Sequence, residues 1–320
     1  MSAPGPGPGA ALRRAGRWLS RVLLEPEYPL LAVEVRPCAV AAVRLALDRG
    51  RLGLGAAGVV DLPPATLDVS LTRPNLRDGE AFRTALRTVL ERAGALGGGP
   101  VSLVLPDSAV RLALVPAEGL RGRGRDAVEV IRFRLHKALP FDVRTARLAW
   151  EPGSGEQALV AVAPDGVVRE YEDALESLGF HAGLVEPASL SLASLAGPEP
   201  NGGDRLLVNW DVGYVSFLLL RDEQPLLVRT LPGEADAGTV ARHATSTLQF
   251  YRDRLGGTSL RDAMVRAGAC PAQQAIDTLA PVLGLPPRPV EPWARLGAAL
   301  SDSVVQALAG AAASAVRRAA

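Results

Sequence analysis

Leu206 to Leu220 reads LLVNWDVGYVSFLLL, two apolar arms broken once, at Asp211, Val212 and Gly213. Aliphatic and aromatic residues fill both arms, and Gly213 supplies the backbone freedom a tight reversal needs. The stretch therefore predicts two buried strands joined as a hairpin. With Ser216 three positions beyond Gly213, two readings of the turn stand side by side. It is a polar turn between core strands, or a loop whose backbone lets phosphate oxygens approach closely.

Working outward, PLLVRTLP at 225–232 predicts a further strand, 238–255 a helix carrying Val240, Ala244, Leu248 and Tyr251, 263–267 a short strand and 272–283 a helix. Upstream, LLAVEV, AVAAVRLAL and RLGLGAAGVVDLP read as three consecutive antiparallel strands. They are followed by a helix that Asp78 caps and that turns Phe82, Leu86, Val89 and Leu90 to one side. Two hairpin-rich segments, each followed by helices, predict two lobes of like design. Between them VSLVLP, RLALVP, a helix near 126–139, ALVAVA and a helix at 164–178 read as an α+β module.

Composition narrows the functions. The 320 residues are 48% hydrophobic with mean hydropathy +0.15, enough to fill real cores, and 35 basic against 34 acidic residues give a net charge of +1. No global field draws the chain to nucleic acid. Cys38 and Cys270 form no C-x-x-C pair, so neither a disulfide framework nor a metal site is expected, and a reducing, cytosolic setting fits. Lys137 is the only lysine and does not sit in a phosphate-binding loop, and no Ser or Cys has an evident base partner, so no catalytic residue is nominated. No apolar run approaches the roughly 20 residues that span a bilayer. Residues 1–28 form a basic leader in which Arg13, Arg14, Arg17 and Arg21 accompany Leu12, Trp18, Leu19, Val22 and Leu23. Residues 10–24 suit either a helix lying on an anionic membrane surface or one packed on its own domain.

The order VSLVLP, RLHKALPFDVRTARLAWE, ALVAVAPDGVVREYEDALESLGFHAGLVEPASLSLASL and LLVNWDVGYVSFLLLRDEQPLLVRTL resembles the PilM family of type IV pilus assembly proteins, from about Leu30 to the C-terminus. That family belongs to the actin-like ATPase superfamily and is similar in fold to the division protein FtsA. The resemblance implies an α/β, two-lobed actin-like (ribonuclease H-like) ATPase fold with an inserted α+β subdomain. It divides the chain into the leader at 1–28, a first lobe at 29–99 and 181–200, the inserted subdomain at 100–180 and a second lobe at 201–320.

In the family's first phosphate loop, Glu34 stands at the aspartate, Arg36 at the glycine, Pro37 at a serine and Ala41 at the lysine. Arg36 brings a side chain into the phosphate space, Pro37 removes a donor and Ala41 removes a cation. The second loop keeps Asp211, Gly213 and Ser216, and the adenosine loop keeps Gly268. These four are the residues left to hold ATP and magnesium, and the losses predict no resident cofactor. The expected function is a cytoplasmic scaffold, peripheral to the inner membrane, that binds the short cytoplasmic tail of a PilN-like membrane protein without hydrolysing ATP. The alternatives are an active actin-like ATPase and a platform like the type II secretion protein GspL.

Overall fold

A computed structural model describes residues 29–48, 51–120, 125–152, 156–196, 203–222, 224–292 and 301–316. The leader, including residues 10–24, lies outside them.

Alternating apolar side chains build two sheets on one plan. In the first, β1 (Leu31–Arg36), β2 (Ala39–Asp48) and β3 (Arg51–Asp61) form an antiparallel meander. Strands β4 (Gly99–Leu105) and β8 (Phe180–Pro187) then add in parallel, giving the order β3-β2-β1-β4-β8. Further along the chain come β5 (Arg111–Pro116), β6 (Ala146–Pro152) and β7 (Gln157–Pro164). The second large sheet repeats the first plan with β9 (Asp204–Asp211), β10 (Tyr214–Arg221), β11 (Gln224–Pro232), β12 (Asp262–Ala267) and β13 (Arg288–Pro289), in the order β11-β10-β9-β12-β13. The hairpin expected at 206–220 is β9 and β10: Asp211 pairs with Tyr214, and Gly213 makes the reversal at φ +76°.

Each sheet buries its outer face under two helices. Val33, Val35, Val40 and Ala42 pack against α1 (Gly79–Arg92) and α3 (Asp165–Glu176) through Phe82, Leu86, Tyr171 and Leu175. The Phe82 and Tyr171 rings meet edge to face at 6.0 Å, an arrangement aromatic quadrupoles favour. Asp78 caps α1 as expected, accepting from the Glu80 and Ala81 N–H groups. On the second sheet Leu206, Val208, Trp210 and Phe217 pack against α5 (Ala237–Leu255) and α6 (Ala272–Leu283).

The two inner faces share α4 (Ala188–Ala193) and α7 (Asp302–Val316). Leu308, Ala311, Ala312 and Ala315 of α7 meet Ala41, Val43 and Leu45, while Ala309 and Ala313 meet Leu207, Leu218 and Met264. From Val305 onward α7 is enclosed on nearly every side, as a helix held between two sheets must be, and alanine lets both sheets come close to it.

Strands β5, β7 and β6 form a separate three-stranded sheet in that order. Helix α2 (Arg125–Leu135) covers it with Ala127, Ile131 and Leu135.

Three boundaries read from sequence are corrected. The resemblance puts strand β4 in the inserted subdomain at 100–180, but it is the fourth strand of the first sheet, with Val101, Leu103 and Leu105 in that core. VSLVLP is apolar on both faces, as a central parallel strand must be, and a small one-sided sheet has no use for that. Helix α3 likewise belongs to the first core, so the separate sheet begins at Arg111 and ends at Pro164. Helix α7 is not confined to the second lobe assigned to 201–320; it packs on both sheets. Among the described residues no helix is long and apolar enough to cross a membrane.

Candidate functional site

Strand periodicity puts Glu34 and Arg36 on the inner face of β1, in step with Ala32. The same rule puts Asn209 and Asp211 on the inner face of β9 and Arg266 on that of β12. An arginine or glutamate inside a buried strand must find a partner, and here each of Glu34, Arg36, Asp211 and Arg266 finds one on the opposite sheet.

The Arg36 guanidinium crosses the gap with two parallel bonds to Asp211, Nε to Oδ2 at 3.0 Å and Nη2 to Oδ1 at 2.8 Å. It also donates to the Gly268 carbonyl at 2.7 Å. Arg266 crosses the other way through Nη2, which donates to Glu34 Oε1 at 2.9 Å, while Nη1 donates within its own sheet to Asp211 Oδ2 at 2.5 Å. Its remaining donors reach Asn209 Oδ1 at 3.1 Å and the Gln306 carbonyl at 3.0 Å. Glu34 Oε2 accepts from the Ala311 N–H of α7 at 3.2 Å. Two carboxylates and two guanidiniums thus close on one another, and none of the four side chains exceeds 6% exposure.

Their ionisation follows from this arrangement. Burial opposes the charge on Asp211, but Arg266 and Arg36 outweigh it and hold the carboxyl well below the usual carboxylate range. Burial pushes Glu34 up, and Arg266 and Arg36 only partly offset it. Burial also disfavours the Arg36 cation, yet Asp211 overrides it and raises the group further.

The network continues beyond the four charges. Asn209 Nδ2 donates to Asp107 Oδ2 at 2.8 Å and to the Tyr214 hydroxyl at 3.2 Å. Asp107 accepts from the Ser189 N–H at 2.8 Å and from the Ser189 hydroxyl. Asp107 opens the single turn, Asp107–Ala109, that leads from β4 into β5. Bonds therefore run unbroken from the seam between the large sheets to the root of the small one.

Of the four residues picked out from sequence, Asp211 and Gly268 come together in this cluster. Gly213 lies exposed at the hairpin turn, where its carbonyl accepts from the Gly233 N–H at 2.8 Å. Ser216 is buried, with its Oγ 3.0 Å from Thr230 Oγ1 on β11. The first-loop residues Glu34 and Arg36 are in the cluster, as the resemblance placed them. Arg266, Asn209, Asp107 and Gln306 were not anticipated.

The cluster does not fit a magnesium triphosphate. A Cβ added at Gly268 would lie 2.7 Å from both Arg36 Nη2 and Asp211 Oδ1, so side chains already fill that space. Asp211 Oδ1 accepts from Arg36 and from the Val212 N–H, and Oδ2 from Arg36 and Arg266, so the acceptor positions of that carboxylate are already occupied by protein donors.

No protein-family model matches the chain, and no curated protein does. Among solved structures, it is similar to a chain of a "PilM-PilN type IV pilus biogenesis complex" with TM-score 0.75 and 18% identity, covering 92% of this chain and all of that one. It is also similar to a Bacteroides thetaiotaomicron protein "with actin-like ATPase fold and unknown function", with TM-score 0.51 and 8% identity, covering 82% of this chain and 90% of that one. The cytoplasmic domain of EpsL from the type II secretion system of Vibrio cholerae aligns over 75% of this chain and 82% of its own, at 18% identity, with a TM-score of 0.47 that is too low to add to this. With the duplicated sheet plan and the helices held between the sheets, these likenesses show that the chain has the two-lobed actin-like ATPase fold.

Proposed function

We propose that the chain is a scaffold of a type IV pilus assembly complex, acting at the cytoplasmic side of the inner membrane. In this reading it receives the cytoplasmic tail of a PilN-like membrane protein and does not turn over ATP. The likeness to a chain of the PilM-PilN complex over the whole of that chain is the observation that carries this reading. The inserted sheet supports it: β6 ends the order β5-β7-β6, and an extended peptide adds to such an edge through main-chain hydrogen bonds. The filled inter-lobe space supports the absence of turnover, since phosphoryl transfer needs donors and metal ligands free to meet the phosphates.

A synthetic peptide copying the tail of the cognate PilN-like protein, titrated calorimetrically into the full chain, is expected to bind with a Kd in the range of about 1–100 μM, equally with and without magnesium-ATP. Absence of heat up to about 1 mM peptide refutes the scaffold reading. A Tm that rises by several degrees with millimolar magnesium-ATP favours the active ATPase instead.

Residues 10–24 would add a peripheral contact with anionic lipid. Co-sedimentation with anionic vesicles is expected to pellet the full chain more than a form lacking residues 1–27, and equal pelleting dismisses the contact.

A further inference from the structure

Nucleotide-dependent folds close around a ligand that supplies charge between their lobes. Here the charges come from the chain itself. Arg36 leaves the first sheet and ends between Asp211 and the Gly268 carbonyl of the second, and Arg266 returns to Glu34. The four formal charges cancel, so the seam calls for no counter-ion. Gly310 of α7 permits this closeness, because a Cβ there would lie 2.5 Å from the Glu34 carboxyl carbon.

We propose that Arg36 is a built-in ligand of the inter-lobe cleft. Its guanidinium occupies the space beside Gly268 and latches the two large sheets, and through Asn209 and Asp107 the root of the inserted sheet, into one closed arrangement without a bound molecule. A bidentate arginine and carboxylate pair is a stiff, directional clamp. A buried ion pair adds little net stability over a well-packed apolar core, and in some proteins its role is to select one arrangement. The latch does not rest on the pilus reading, because its readouts need no partner.

Hydrogen exchange followed by mass spectrometry on the full chain tests it, comparing wild type with Arg36→Ala and Arg36→Gln. Exchange is expected to rise at least about 10-fold in peptides covering residues 36–40, 267–271 and 303–311, with peptides over Leu103–Leu105 and Val215–Leu219 unchanged. Glutamine keeps a side-chain donor and most of the length, so it provides the readout should alanine prevent folding. Gly268→Ala, whose new Cβ displaces the guanidinium, is expected to give the same pattern from the opposite side. Unchanged exchange at the two loops in every variant overturns the latch, as does acceleration spread evenly over the whole chain. Protection of those loops in the wild type by millimolar magnesium-ATP also overturns it.

Discussion

Replacing Arg266 by alanine is expected to lower the free energy of unfolding by about 3–5 kcal/mol at pH 7, the usual cost of removing one partner from a buried ion pair. Arg266 has no exposed side-chain surface, and its loss strips donors from Glu34, Asp211, Asn209 and the Gln306 carbonyl at once. Asp211 still has Arg36, so Glu34 is the group left stranded.

The deficit should depend on pH with a definite sign. Burial already raises the Glu34 carboxyl above its ordinary value, and losing Arg266 raises it further. A raised carboxyl contributes stability that is present below the unfolded value of about 4.3 and is lost as pH rises through the folded value. The difference between Arg266→Ala and wild type should therefore shrink as pH falls toward 4 and be fully open above the folded value. Urea midpoints at several pH values check both points. A loss under about 1 kcal/mol at neutral pH would mean that water reaches the seam.

The second large effect sets two terms of opposite sign against each other. Alanine in place of a mid-helix glycine normally stabilises by about 1 kcal/mol. At Gly310 the added Cβ would meet the Glu34 Cδ and both its oxygens within 2.6 Å. That carboxylate cannot step aside without giving up Arg266 and the Ala311 N–H, a disruption costing about 3 kcal/mol. Gly310→Ala should thus destabilise by about 2 kcal/mol despite the better helix former. Thermal unfolding reads this directly, and a stabilised variant would show that α7 does not lie against Glu34.

What could be read from sequence follows from which signals are local. The period-2 runs around LAVEVR and LLVNWD, the Asp78 cap and the turn at Gly213 each depend on a few neighbouring residues, and the strands, α1 and the central hairpin appear where those signals put them. The edges of the inserted sheet are not legible locally, because a largely apolar strand such as VSLVLP looks alike in either sheet. Its place is decided by β1, more than sixty residues earlier.

The cluster was half visible. Glu34 and Arg36 drew notice as departures from a phosphate loop, yet their pairing with residues more than 170 positions away leaves no local trace. One signal was available: AMVRAGA carries an arginine inside a strand that is otherwise apolar, and such a charge announces a partner. Matching it to the glutamate in LAVEVR would have joined the lobes on paper. Asp107 and Gln306, common polar residues in ordinary settings, gave no comparable cue.

The small sheet enters and leaves its host through a single doorway. Arg111 at the start of β5 lies opposite Val162 near the end of β7, so the outgoing and returning chains are hydrogen-bonded neighbours. Beyond the doorway the unit is braced on both sides: β5 lies against β11 of the second large sheet, and Arg147 of β6 pairs with Asp165 and Glu172 of α3, so it stands as a strut between the lobes. The paired backbones of Arg111 and Val162 fix the span at the doorway, whatever the length of the loops beyond it.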